Sequence, residues 1–211
     1  MADTQNDKGT KDRILDSAEK LFAIDGYKGT SMRAITGKAS VNLASVNYHF
    51  GSKKGLLDAV IKRRIVPLNK IRKQRLEDVR RQAREAGKKA DVSSILRAFI
   101  EPTLRFMDSD PGARDFIALI GRSMSDPDDT VRNIFHRYII SLFNLFFEMM
   151  SEALPELKKD VLFWRIHFAI GSLQHTMRIC GTNFKELEHF NTDTDTLTEY
   201  LLEFITEGVK A

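Results

Sequence analysis

Residues 10–60 read TKDRILDSAEKLFAIDGYKGTSMRAITGKASVNLASVNYHFGSKKGLLDAV, and the punctuation of this stretch decides the fold. Ile14, Leu15, Ala18, Leu21 and Phe22 recur at steps of three and four, the apolar stripe of a first helix over about Lys11–Ile24. Asp25-Gly26 stops it, because glycine enters the left-handed conformation that ends helices at no steric cost. Thr30 or Ser31 caps a second helix, which turns Met32 and Ile35 inward and ends near Lys38. A tight turn through Ala39, Ser40 and Val41 leads to a short third helix, about Leu43–Tyr48, closed by Phe50-Gly51. Ser52 caps a fourth helix with Leu56, Leu57, Val60 and Ile61 on its buried side. That helix extends to about Ala86 and bends at Pro67.

Three short helices with a tight turn between the second and third make a helix-turn-helix pattern. Ile14, Leu21, Phe22, Met32, Ile35, Val41, Val46 and Phe50 supply a small core that holds the third helix at the surface. Its exposed face then carries Asn42, Leu43, Ser45, Asn47, Tyr48 and His49. These are donors, acceptors and rings of the kind that reach base edges and phosphates.

Outside this stretch the pattern stays helical. Period-3.6 spacing predicts helices over Asp91–Met107, Pro111–Met124, Asp128–Leu154, Glu156–Cys180 and Asp195–Glu207, and no alternating run is long enough for a sheet. The expected fold is all-α: an N-terminal helix-turn-helix domain over 10–56, then an antiparallel helical bundle over 57–211. Residues 1–9 are expected to form a disordered arm. With 42% hydrophobic and 29% charged residues in 211, the composition is that of a globular chain. The N-terminus has no apolar core of a signal peptide, and no stretch reaches the length of a membrane span. One cysteine, Cys180, excludes an intramolecular disulfide and a cysteine-built zinc site, and the expected compartment is the cytoplasm.

The net charge of +4 is unevenly spread. Residues 1–90 hold 21 Lys and Arg against 10 Asp and Glu, whereas residues 91–211 hold 12 against 19. A basic first half and an acidic second half point to a polyanion met by the first half alone, nucleic acid before an anionic membrane surface. The cluster Lys62, Arg63, Arg64, Lys70, Arg72, Lys73 and Arg75 reads as a solvated helix face that adds diffuse attraction to DNA.

The segments ILDSAEKLFAIDGY and TSMRAI, then Val41, then Val46-Asn47-Tyr48-His49-Phe50 followed by Ser52-Lys53, resemble the DNA-binding domain of the TetR family of bacterial transcriptional regulators over about residues 10–60. Two positions depart from that family. Ser40 stands where Gly is usual in the turn, and Asn47 stands where an aromatic is usual before Tyr48. The resemblance implies that Thr30, Ser31 and Arg33 grip phosphates and that Asn42, Leu43, Ala44 and Asn47 face base edges. It also implies that Ser45, Tyr48 and His49 contact phosphates or bases and that Lys53 reaches a phosphate. The partner is then double-stranded DNA carrying a palindromic operator.

In the second half, Asp128–Leu154 is apolar nearly all round and is expected at the centre of its domain, as plain core or as the wall of a lipophilic cavity. The stretch ILRAFIEPTLRFM, with DFIALIGRSMSDP and LFWRIHFAIGSLQHTM, more loosely resembles the PsrA-like subgroup, which implies a fatty-acid-like effector. An acyl chain would lie among Phe99, Phe106, Phe116, Phe143 and Phe147, with Arg122 on its head group; the plainer reading of Arg122 is a salt bridge to Asp126 or Asp128. A homodimer is expected through two stripes, Ile166, Ala169, Ile170, Leu173 and Met177, then Leu197, Leu201, Phe204 and Ile205. His167 and His175 share a helix face without a third ligand, so no metal is expected, and no cofactor motif is present. An enzyme is the weakest reading, since no serine–histidine–acid set or phosphate loop appears. A membrane-surface adaptor using the basic fourth helix is a further alternative, weakened by the lack of a segregated apolar face beyond Val66.

Overall fold

A computed structural model describes residues 2–124, 126–180 and 193–211. The described residues are helical or in turns, with no strand among them. The helices are α1 (Ala2–Gly29), α2 (Met32–Ala39), α3 (Leu43–Phe50), α4 (Lys53–Glu85), α5 (Val92–Met107), α6 (Pro111–Ser123), α7 (Thr130–Ala153), α8 (Lys159–Cys180) and α9 (Thr194–Lys210). Predicted boundaries agree to within three residues from α2 onwards. The exception is α1, which begins at Ala2 and so takes in residues expected as an irregular arm. Its helical φ/ψ run is broken at Gly26, where φ is 74°, as the Asp25-Gly26 signal required.

The chain divides into two compact units, and the division does not follow the expected boundary at residue 56. Met1–Val66 joins Asp110–Tyr138 in one unit; Pro67–Ser109 joins Ile139–Ala211 in the other. Both α4 and α7 run from one unit into the next, α4 changing unit at Pro67.

In the first unit, Ile14, Ala18 and Phe22 of α1 are fully buried, with Ile35 of α2, Val46 of α3 and Leu56, Leu57, Val60 and Ile61 of α4. The helix α6 packs along α1 and contributes Ala113, Phe116 and Leu119 to the buried set. A polar cluster binds α1, α4 and the start of α6. Glu19, buried on α1, takes a bidentate pair from Arg64 (Nε at 2.8 Å, Nη2 at 2.7 Å) and a further bond from Arg63 Nη2 at 2.6 Å. Arg63 also reaches Asp16 at 2.6 Å, and Arg64 reaches Asp110, the N-cap of α6, at 2.7 Å. Arg63 and Arg64 are therefore internal ties, where the sequence suggested a solvated face. Gly112 leaves room for them, because a Cβ there would meet Arg64 Nη2 and lie 2.8 Å from Glu19 Oε2, so the cluster would have to shift.

In the second unit α5 is the most enclosed helix. Ile95, Leu96, Phe99, Ile100 and Leu104 are all buried on it. The sequence put the centre at the helix from Asp128, but Ile139, Phe143, Leu145 and Phe147 on α7 are only half-buried. Helix α9 covers α5 and α8, pinned by Arg97–Glu199 at 2.5 Å and by Arg165 donating to the Val209 carbonyl at 3.0 Å.

Candidate nucleic-acid interface

Helix α2 is fixed by hydrogen bonds at both ends. Ser31 caps α2, accepting from Ala34 N–H at 3.0 Å. At the other end, Ser40 N–H donates to the Gly37 carbonyl at 3.3 Å and Val41 N–H to the Thr36 carbonyl at 3.1 Å. That pair of bonds is the Schellman closure, whose C′ residue adopts the left-handed conformation. Ser40 does so, with φ 53° and ψ 51°, and is the one non-glycine residue with positive φ among those described.

Helix α3 begins with Asn42, whose Oδ1 accepts from Ser45 N–H at 2.8 Å and from the Ser45 hydroxyl at 2.9 Å. That oxygen is spent on the cap, so only the amide N–H₂ of Asn42 is left to offer an outside acceptor. Val46 faces inward and is 1% exposed, while Leu43, Ala44, Asn47 and Tyr48 stand out of the surface. Tyr48 is 80% exposed, a large ring held in water on a short, capped helix. Ser45 and His49 are half-buried, and the rings of Tyr48 and His49 meet edge-on at 5.1 Å.

Ser31 and Arg33 are exposed at the start of α2. Thr30 is placed otherwise than expected: it is 2% exposed, and its hydroxyl donates to the carbonyls of Gly26 at 2.8 Å and Leu21 at 3.1 Å. The residue closes the end of α1 instead of presenting itself to a phosphate. Lys53 lies with Nζ 4.5 Å over the Tyr27 ring, half-buried at the start of α4. Burial pulls its ammonium below the usual lysine value, with Asp128 opposing. Between Asp25 and Asp58 the chain carries Lys28, Arg33, Lys38, Lys53 and Lys54 and no carboxylate. Lys38 and Lys54 are exposed and were missed as candidates, although this acid-free window would have marked them.

The six residues expected to hold an effector divide between the units. Phe99, Phe106, Phe143 and Phe147 belong to the second; Phe116 and Arg122 belong to the first. Phe116 is 4% exposed on α6, the helix that packs on α1. Arg122 is engaged there too, its Nη1 donating to the Ile24 carbonyl at 2.6 Å, next to the break at Gly26. The head-group role expected of Arg122 is thus replaced by closure of a helix end, and neither alternative aspartate takes it. Within the second unit, Phe99 meets Phe146 at 4.6 Å and Phe143 stacks on Phe147 at 6.3 Å.

The stripes expected to form a dimer are mostly turned inward. Ile166, Ala169, Leu173 and Leu201 are buried within the chain, and Ile170, Met177 and Leu197 are half-buried. Phe204 alone is exposed, at 69%. The outward face of α8 instead carries Phe163, Trp164 and Phe168, with Tyr200 and Phe204 on α9. An open groove of about 560 Å³ runs between these helices, lined by His167, Phe168, Gly171, His175, Leu201 and Phe204. Helix α8 is apolar on two faces, and periodicity does not say which one the chain covers itself. Among the described residues no group of metal-ligating side chains is assembled, and no helix is long and apolar enough to cross a membrane.

Comparison with known proteins matches both parts of the chain. The family model described as bacterial regulatory proteins, tetR family, matches residues 14–60, and the one described as tetracyclin repressor-like, C-terminal domain, matches residues 97–208. Over 52 residues the chain is 44% identical to the probable HTH-type transcriptional regulator YttP of Bacillus subtilis (strain 168), covering 25% of each protein. It is 40% identical over 52 residues to the biofilm operon icaADBC negative transcriptional regulator IcaR of Staphylococcus aureus (strain Newman), covering 25% of this chain and 28% of IcaR. The match therefore spans about a quarter of the length of these curated relatives. Over most of the chain the fold is similar to that of the transcriptional regulator FadR from Bacillus subtilis, solved in complex with stearoyl-CoA. The TM-score is 0.66 at 15% identity, covering 93% of this chain and 97% of FadR. The hemolysin II regulator HlyIIR gives a TM-score of 0.62 at 18% identity, covering 97% and 99%. At such identities the likeness carries the fold alone.

Proposed function

The chain belongs to the TetR family of bacterial regulatory proteins, and from that premise we propose that it is a homodimeric transcriptional repressor acting in the cytoplasm. Two copies of α3 enter successive major grooves of a palindromic operator. The observation that carries this reading is the exposed edge of α3, where Asn47 and Tyr48 face solvent on a helix capped at both ends within a carboxylate-free stretch. Asn47 reads an adenine through its amide, the pairing that geometry favours in the major groove. Leu43 and Ala44 give apolar contact to thymine methyls, and Tyr48, His49, Ser45 and the Asn42 amide reach bases or phosphates. Ser31, Arg33 and Lys53, joined by Lys38 and Lys54, grip the backbone on either side.

A small lipophilic effector in the second unit releases the operator. The solved complex of the FadR neighbour with stearoyl-CoA supports that class of ligand, and Phe99, Phe106, Phe143 and Phe147 supply an aromatic lining on α5 and α7. Dimerisation uses the outward aromatics Trp164, Phe168, Tyr200 and Phe204, large apolar side chains left exposed on α8 and α9. Repeated selection of bound duplexes from a random pool tests the proposal. It is expected to return an inverted repeat, and recovery of unrelated sequences or of a single half-site would overturn it.

A further inference from the structure

Several arginines of the second unit face carboxylates. Arg75 and Arg105 meet Glu101, at 3.2 and 2.8 Å, and Arg97 meets Glu199. Arg72 does not. Its residue is 5% exposed on α4, and no carboxylate lies within ion-pair distance of it among the described residues. Thr103 Oγ1, whose own hydrogen goes to the Phe99 carbonyl at 3.1 Å, accepts from Arg72 Nε at 3.1 Å and from Nη2. Asn69 Oδ1 accepts from Nη1 at 3.1 Å. The guanidinium lies 4.9 Å over the Phe99 ring. Three of five N–H groups are thus matched to neutral oxygens, and one on each of Nη1 and Nη2 is left over.

A buried cation held only by neutral acceptors is costly unless an anion joins it. Burial pushes this guanidinium down to about 9, so it still carries its charge at neutral pH. Phe99, Thr103 and Phe106 recur at steps of four and three on α5 and share one of its faces, and the Phe146 ring lies tilted against Phe99.

We propose that Arg72 anchors the carboxylate of an apolar, acid-headed ligand, whose chain lies along the aromatic residues of α5 and α7. The proposal rests on the lipophilic-effector reading given above and narrows it to acids. A carboxylate meets the guanidinium with paired, charge-assisted hydrogen bonds that an alcohol of equal length does not make. The Phe99 ring beneath the cation and the Thr103 oxygen beside it hold the fork in place before the ligand arrives.

The test compares dodecanoate, dodecanol and dodecylamine, each below its aggregation limit, by isothermal titration with the full chain. Dodecanoate is expected to bind about ten- to a hundredfold tighter than dodecanol, the range of a hydrogen bond to a charged group, and dodecylamine weakest. Arg72→Met should bring the acid to the level of the alcohol while leaving the alcohol unchanged, and Arg72→Lys should keep the order acid over alcohol over amine. Equal binding of acid and alcohol by the unaltered chain would overturn the anchor while sparing the lipophilic reading. An undiminished acid preference in Arg72→Met would do the same. Failure of all three probes to bind the unaltered chain would remove the lipophilic reading itself. The comparison of three probes on the unaltered chain needs no variant, so it decides even if Arg72→Met does not fold.

Discussion

Replacing Ser40 by glycine should stabilise the protein. Ser40 sits at φ 53°, ψ 51°, the position that closes α2. For an L-residue with a Cβ that conformation costs about 1–2 kcal/mol, and glycine escapes the cost. Against this, glycine loses more backbone freedom on folding, about 0.5–1 kcal/mol. Ser40 is exposed, so its side chain takes almost no burial term with it. The net gain is about 0.5–1 kcal/mol, which for a chain of this length raises Tm by roughly 1–4 °C. Differential scanning calorimetry on Ser40→Gly, Ser40→Asn and Ser40→Ala measures it. The expected order is Gly, then Asn, which tolerates the left-handed region, then Ser, then Ala. DNA affinity should not fall, because Ser40 precedes the exposed face of α3. A Ser40→Gly protein that melts at or below the unaltered one, or an Ala variant as stable as the Gly one, would refute the reasoning.

Glu19→Gln keeps the shape of a buried residue but strips the charge that Arg63 and Arg64 share; urea unfolding should show a loss of about 3–5 kcal/mol. Gly112→Ala pushes a methyl group into the same cluster and should cost about 1–3 kcal/mol by the same measurement. Burial alone raises the Asp110 carboxyl, but the Arg64 guanidinium and the N–H groups of Gly112 and Ala113 outweigh it and hold the group below the usual aspartate value. A carboxyl depressed in the fold stabilises above its unfolded value and loses that contribution as pH falls through its folded one. The stability gap between the unaltered chain and Asp110→Asn should therefore close below about pH 4, followed by circular dichroism. Phe168→Arg places a charge on the outward face of α8 and should shift the protein to monomer in sedimentation velocity, with the operator affinity falling alongside.

Local chemistry was the legible part. Ser31, Asn42 and Gly26 announce caps and a stop through interactions spanning a few residues, and the structure keeps each of them. Where a residue has two ways to be satisfied, sequence alone does not choose. Thr30 can cap a helix or fold its hydroxyl back onto carbonyls; Ser31 takes the cap, so Thr30 folds back. The run from Lys62 to Arg75 looks solvated because its charges are dense, yet Arg63 and Arg64 meet a buried glutamate 44 and 45 residues earlier, and Arg72 lies under α5. Those partners are set by tertiary packing, which has no local signature. The same holds for α8, whose Ile166 and Leu173 went inward while Trp164 and Phe168 stayed out.

The most direct test of the account is fluorescence anisotropy of a labelled inverted-repeat duplex, titrated with the unaltered chain and with Asn47→Ala across a salt series. The account predicts two protomers bound per duplex and an affinity that falls steeply with salt. It also predicts a loss of about 1–3 kcal/mol for Asn47→Ala on the selected repeat, with little change on unrelated DNA. Binding that ignores both salt and sequence, or an Asn47→Ala protein that discriminates as well as its parent, would contradict it.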